Sequence, residues 1–403
     1  MMIASRVMRI ALVLSLLVLL LGAGGILWLR ASPYWAGVTL FSEGKRVENF
    51  QAMDTVFPFR DVEAGASVWT LRTQPRPLPQ SYVFKGEDRA LSAFLEQTET
   101  AGLLVLHNGA IAHETYRLGA TESTRFTSWS VAKSVLSALV GIALDEGYFN
   151  GLDDRLDHYV PALTGSGYEG VTLQHALTMS SGIRFDKNYD DPFSDVNQLF
   201  INLATGTGMV EALAELTRER PPGTYNNYVS ADSIAIGLAL EAATGMPLER
   251  YLETRLWGPM GAEDDAFWNT GRAGQVLPFC CLNARLRDYA RFGQLYLSSG
   301  ARGTEQIVPR GWVAASTQPG APHLQPGHHA GSSWTFGYGY HWWVPEVPRD
   351  DFLAIGIWGQ YVYVDRANRV VIVKMSADPG FDTRDHETVA VFRAISDGLG
   401  RVD

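Results

Sequence analysis

The chain has 403 residues, a formal net charge of −10 at pH 7, 46% hydrophobic residues and 11% aromatic residues. That length buries a large core in one large or two-lobed domain, and the acidic balance excludes a nucleic-acid partner, because phosphate contacts need a basic surface. The only cysteines, Cys280 and Cys281, are adjacent; neighbouring cysteines rarely form a relaxed disulfide, so both are expected to be small buried residues. No His/Cys/Asp/Glu cluster has metal-ligand spacing, and neither a metal nor a cofactor is expected.

Residues 10–29 carry no charge, with Arg6 and Arg9 before them and Arg30 after. Twenty such residues are long enough to cross a hydrocarbon core. A buried core helix would show a polar face, and none exists. Two readings stay open, a cleaved signal peptide and a retained anchor; the length and the lack of a small-x-small site favour the anchor. Basic residues ahead of the span keep its start cytoplasmic. Everything after Arg30 is then exported, anchored on the outer, periplasmic side of the cytoplasmic membrane. The expected segments are an anchor or signal at 1–30, a linker and packing segment at 31–80, and the main domain at 81–403.

Residues 90–99 have the pattern of an amphipathic helix. Strand-like runs on either side of Asn108-Gly109 predict a hairpin, since Asn-Gly supplies the positive backbone angles of a tight turn. The hairpin leads into Ser130-Val131-Ala132-Lys133 and an aliphatic run beyond it, with Thr127 or Ser128 as the N-cap. At a spacing of i, i+3 on a helix, Ser130 and Lys133 share one face. A serine hydroxyl is a weak nucleophile until a base takes its proton, and a lysine desolvated by burial can lose its own near neutral pH. The helix N-terminus adds N–H groups that favour an oxyanion beside Ser130.

A mostly helical middle follows, with helices expected near 173–179, 210–216, 231–244 and 283–297 and an acidic, aromatic loop at 186–195. Strands are expected at 352–356, 359–365 and 370–375, then a last helix at 386–399. Strands at both ends around helices imply an α+β fold whose antiparallel sheet is built from the two chain ends, with a helical lobe inserted. The alternating aromatics Trp334, Phe336, Tyr338, Tyr340, Trp342 and Trp343 read equally as a cleft wall or as core.

Three ordered motifs carry a family resemblance: Ser130-Val131-Ala132-Lys133 as S-x-x-K, Tyr228-Val229-Ser230 after Pro222-Gly223-Thr224 where Y-x-N stands, and Ala354-Ile355-Gly356 where K-T-G or H-x-G stands. With them the chain resembles the penicillin-recognising serine hydrolase superfamily, on the branch of class C β-lactamases, carboxylesterases and 6-aminohexanoate-dimer hydrolases. The resemblance spans roughly residues 40–400 and implies a β-lactamase-like fold. It implies that Ser130 is the acylated nucleophile, Lys133 its base, and Tyr228 a proton shuttle acidified by the nearby ammonium. The backbone N–H groups of Ser130 and Ile357 would form the oxyanion hole.

The chain departs from that pattern at two places. Ser230 replaces the family's asparagine, a shorter donor. Ala354 replaces a lysine or histidine, removing a cation that would bind a substrate carboxylate, so penicillins and D-alanyl peptides are expected to bind poorly. Tyr189 and Asn283 match positions lining the substrate cleft in the amide-hydrolase branch, and also read as loop residues. The expected function is hydrolysis of an ester or small amide through an acyl-enzyme. The alternatives are a β-lactamase or D,D-peptidase, and a catalytically silent protein that binds cell-envelope components.

Overall fold

The computed structural model describes residues 2–31 and 34–400. The outermost positions of the expected segments, and positions 32–33 of the linker, lie outside the described residues.

Strands from both ends of the chain meet in one sheet of eight. Thr100–His107 and Ala110–Tyr116 form the hairpin across Asn108-Gly109, whose φ angles of +51° and +75° are those a tight hairpin turn needs. Asp351–Gly356, Gln360–Asp365 and Val370–Ser376 form an antiparallel meander, and its last strand pairs with Thr100–His107, Val373 opposite Leu104. Thr100–His107, Gln360–Asp365 and Val370–Ser376 are buried along their length because helices cover both faces. Phe392 of the Asp385–Gly400 helix packs on Tyr361 and Tyr363, ring centres 5.5 and 5.4 Å away. On the other face Gly293, in the Leu286–Leu297 helix, lies so close that an added Cβ would meet Val371 at 2.5 Å and Val362 at 3.0 Å. The fold is α+β.

Between these two sets of strands in the chain order comes the helical lobe, with helices at Ala132–Asp145, Leu173–Leu177, Met209–Ala214 and Ser230–Thr244. The helix expected to start at Asn283 starts three residues later. Leu282–Arg285 is a strand, paired with Ala266–Asn269 on one side and Arg125–Thr127 on the other in a smaller four-stranded sheet. Pairing with two neighbours outweighs the local helical pattern there.

Cys280 and Cys281 are buried, as expected, but against expectation they are joined in a disulfide. Cys281 takes φ +67°, and the turn is pinned from outside: Trp268 Nε1 donates to the Cys280 carbonyl at 2.7 Å, and Asn283 Nδ2 to the Cys281 carbonyl at 2.7 Å.

At the amino terminus Met2–Ala31 is one helix, and its stretch Met8–Arg30 is long and apolar enough to cross a membrane. The segment after it docks on the domain. Leu40, Phe50 and Met53 are buried, and Asn49 Nδ2 clasps the Thr39 carbonyl at 3.1 Å.

Candidate active site

The site starts where the Arg125–Thr127 strand ends. Ser128 N–H donates to the Leu282 carbonyl at 2.8 Å, and the next residue, Trp129, takes φ +41°. A non-glycine residue held there costs about 1–3 kcal/mol and persists only where its surroundings impose it. Here the indole is buried against Phe50, ring centres 5.2 Å apart. The bend turns Ser130 into a single 3₁₀ turn, Trp129–Val131, that runs straight into Ala132–Asp145. The expected side-chain cap is missing: Ser128 Oγ donates to the Trp129 carbonyl instead.

Lys133 is 1% exposed, and its Nζ donates to Ser130 Oγ at 2.9 Å and to the Phe279 carbonyl at 2.8 Å. Burial pushes the amine well below its ordinary value, with no carboxylate opposing the shift. The helix turn that carries Lys133 is fixed by a residue the motifs do not signal. His341 Nδ1 donates to the Lys133 carbonyl at 3.0 Å, and its own carbonyl accepts from Ser134 Oγ at 2.6 Å. Burial holds this imidazole at about 3, so it is neutral and carries its proton on Nδ1.

Tyr228 closes the trio. Its ring centre lies 4.9 Å from Lys133 Nζ, and it lines the same cleft as Ser130. The ring stacks on Trp343 at 5.5 Å, and the strand-like lead-in is held by Asn227 N–H to the Met179 carbonyl and Asn226 Nδ2 to the Thr178 carbonyl, both 2.9 Å. An acidified phenol is not what this environment produces. Burial first, and the neighbouring Tyr189 second, push Tyr228 strongly upward, because a buried amine that has lost its proton supplies no stabilising charge.

Gly356 brings the third motif against the Ser130 turn. A Cβ there would stand 2.5 Å from the Ser128 carbonyl oxygen and 3.0 Å from Ser130 N, so only glycine lets the strand end approach this closely. Ile357 follows it, beside Ser130, in a cleft of about 770 Å³. Tyr189 reaches the same cleft, and Ser230, at the start of Ser230–Thr244, lines a smaller recess beside Ser130. Asn283 and Ala354 stay outside. Asn283 is fully buried on its strand with its amide given to Asn269 Oδ1 and backbone carbonyls, and Ala354 is buried in the sheet while its neighbour Ile355 lines the cleft. No spacing rule distinguishes such structural asparagines from binding ones.

A family profile described as Beta-lactamase matches residues 88–394. The chain belongs to the beta-lactamase family. The 6-aminohexanoate-dimer hydrolase of Paenarthrobacter ureafaciens is 30% identical to this beta-lactamase-family chain over 298 residues, 72% of this chain and 76% of that one. A solved Bacillus anthracis structure, provisionally named a 6-aminohexanoate-dimer hydrolase, superposes with a TM-score of 0.80 at 22% identity, covering 90% of this chain and 95% of that one. A family VIII carboxylesterase structure reaches 0.59 at 16% identity, covering 76% and 95%. The two superpositions show the fold.

The walls of the family cleft in this chain come from residues that no motif marks. Trp334 and Trp343, two of the alternating aromatics, line the cleft, whereas Tyr338 and Trp342 are core, so that cluster divides between the two roles. Carboxylates of Asp186, Asp190, Asp382 and Asp385 also line it. Lys187 is the lining cation; its Nζ lies 4.3 Å from the Trp334 ring centre, and burial lowers it to about 8. Phe41 and Trp358 form a further wall, stacked 5.5 Å apart.

Proposed function

We propose that this chain is an exported serine hydrolase, held by its amino-terminal helix, that cleaves a neutral ester or small amide through an acyl-enzyme on Ser130. The observation that carries it is the buried Lys133 amine 2.9 Å from Ser130 Oγ. Lys133 takes the hydroxyl proton as Ser130 Oγ attacks the carbonyl carbon. The N–H groups of Ser130 and Ile357 receive the oxyanion; they flank the point where Gly356 abuts the nucleophile turn. Tyr228 remains a phenol, gives its proton to the leaving oxygen or nitrogen as the carbonyl bond to it breaks, and recovers one from Lys133. Water then enters by the same route in reverse and releases the acid.

Four lining carboxylates against one lysine disfavour substrates with a free carboxylate, such as D-alanyl peptides and penicillins. Rapid quenching of the full chain with a 4-nitrophenyl ester tests the acyl-enzyme. A burst of one nitrophenol per protein, absent in Ser130→Ala, is expected. A folded wild-type chain that turns over with no burst, and with the rate unchanged in Ser130→Ala, overturns the proposal.

A further inference from the structure

The segment between the apolar helix and the domain forms one side of the cleft. Phe41 stacks on Trp358 with ring centres 5.5 Å apart and planes 13° from parallel, and it lies 5.6 Å from Trp129. Those two indoles directly follow Ile357 and directly precede Ser130. Phe41 therefore spans both halves of the reacting centre, and 41% of it stays exposed towards the cleft. A small recess beside Ser130 continues this wall with Trp129, Phe200 and Phe279.

This wall is bolted down. Arg46 is 6% exposed; its guanidinium pairs with Glu99, donates to the Ala377 carbonyl at 3.0 Å, and sits 5.5 Å from the Trp358 ring centre. A loose linker needs no buried arginine. Five of the residues between Ala31 and Phe41 form the helix Tyr34–Val38, so the cleft wall lies within about 25 Å of the end of the apolar helix along the chain. Apolar side chains adjoining the cleft-lining segments in the chain face water. Val38 is 63% exposed, Phe193, on the loop that carries cleft-lining Asp190, is 84% exposed, and Ile201, next to Phe200, is 46% exposed. Phe200 itself touches Phe57 of the docked segment at 5.5 Å.

We infer that the segment around Phe41 is a specificity wall for an apolar acyl group, and that the cleft takes this group from an amphiphilic ester or amide at the bilayer surface. The inference rests on the reading of Ser130 as an acylated nucleophile and of the first helix as an anchor. A short tether to a membrane-length helix and an apolar rim beside it place the cleft mouth where such a molecule is concentrated. The chemistry is acyl transfer as above, with the acyl chain against Phe41 and the polar leaving group on the carboxylate-lined side.

The test uses the full chain in phosphatidylethanolamine–phosphatidylglycerol vesicles, with 4-nitrophenyl octanoate and 4-nitrophenyl acetate as probes. Phe41→Ala should lower the octanoate-to-acetate ratio of kcat/KM by about tenfold, and Phe41→Leu should restore most of it. Wild-type octanoate turnover should follow the ester's mole fraction in the bilayer at constant bulk concentration. An unchanged ratio in folded Phe41→Ala overturns the specificity wall, and a rate that follows only bulk concentration overturns the membrane surface as the source. In both cases the wild-type acetate burst persists and the hydrolase reading stands. Loss of that burst in the wild type removes the hydrolase reading itself.

Discussion

Lys133 Nζ stands 2.9 Å from Ser130 Oγ, across the junction of the 3₁₀ turn and the helix that follows it, and its other acceptor is the Phe279 carbonyl at 2.8 Å, which brings no full charge. An amine so placed is held as a base by burial alone. On the proposed mechanism, rate and stability both depend on that.

Between its depressed folded value and the ordinary 10.5, the Lys133 amine is protonated in the unfolded chain and not in the folded one. The unfolded state then binds more protons, so stability rises with pH across that window. Lys133→Met removes up to about 1.4 kcal/mol per pH unit of this slope. Thermal unfolding from neutral pH to pH 10 measures it, and equal slopes in the two proteins contradict the assignment. Acylation by the wild type should rise with pH through the depressed value and then level off, and Lys133→Met should lose that step with nearly all of its activity.

Tyr228→Phe keeps the stacking on Trp343 and the edge contact with Tyr338, so the fold is retained. Only the proton path is lost. Amide hydrolysis should slow by about 10²–10⁴-fold, whereas a 4-nitrophenyl ester, whose leaving group departs without a proton, should slow much less. Equal losses on both substrates would show that Tyr228 acts by positioning alone.

Gly356→Ala drives a methyl group into the Ser128 carbonyl and Ser130 N–H, and both neighbours are backbone. The turn that carries Ser130 must shift. A displacement of this order costs about 10²-fold in kcat/KM, with the melting temperature monitored to separate misplacement from unfolding. Wild-type kcat/KM in this variant would mean that strand and turn have more room than the geometry allows.

Asp190→Asn and Asp382→Asn each remove a lining carboxylate from the cleft. A pair of unit charges near 4 Å in water is worth about 1 kcal/mol, so kcat/KM for an anionic ester relative to its neutral analogue should rise about fivefold per substitution. The gain should disappear at 1 M salt, where screening shortens to about 3 Å. A ratio that salt and substitution leave unmoved would show that these carboxylates do not select substrate.

Much of this molecule was legible in its sequence, and the illegible parts share a cause. Ser130 and Lys133 are three residues apart, so a local pattern fixes their geometry. The hairpin at Asn108-Gly109 and the three late strands carry turn residues and β-branched runs that read directly. Phe41, Trp129 and Trp358 come together only through tertiary packing, and no spacing rule links positions so far apart in the chain. Asn283 joins a strand because two neighbours pair with it. Tyr228 was expected to be acidified by a cation, but its environment is set by how deeply it and Lys133 are buried together, which composition and order do not show.

The most direct test of the central claim is intact-protein mass spectrometry of the full chain after exposure to a fluorophosphonate probe and, in parallel, to benzylpenicillin, with peptide mapping of any adduct. One fluorophosphonate adduct on Ser130, no penicillin adduct, and no adduct at all in Ser130→Ala is the result that a neutral-substrate serine hydrolase gives. A folded wild-type chain that stays unlabelled by the fluorophosphonate, or takes the label elsewhere, contradicts the account.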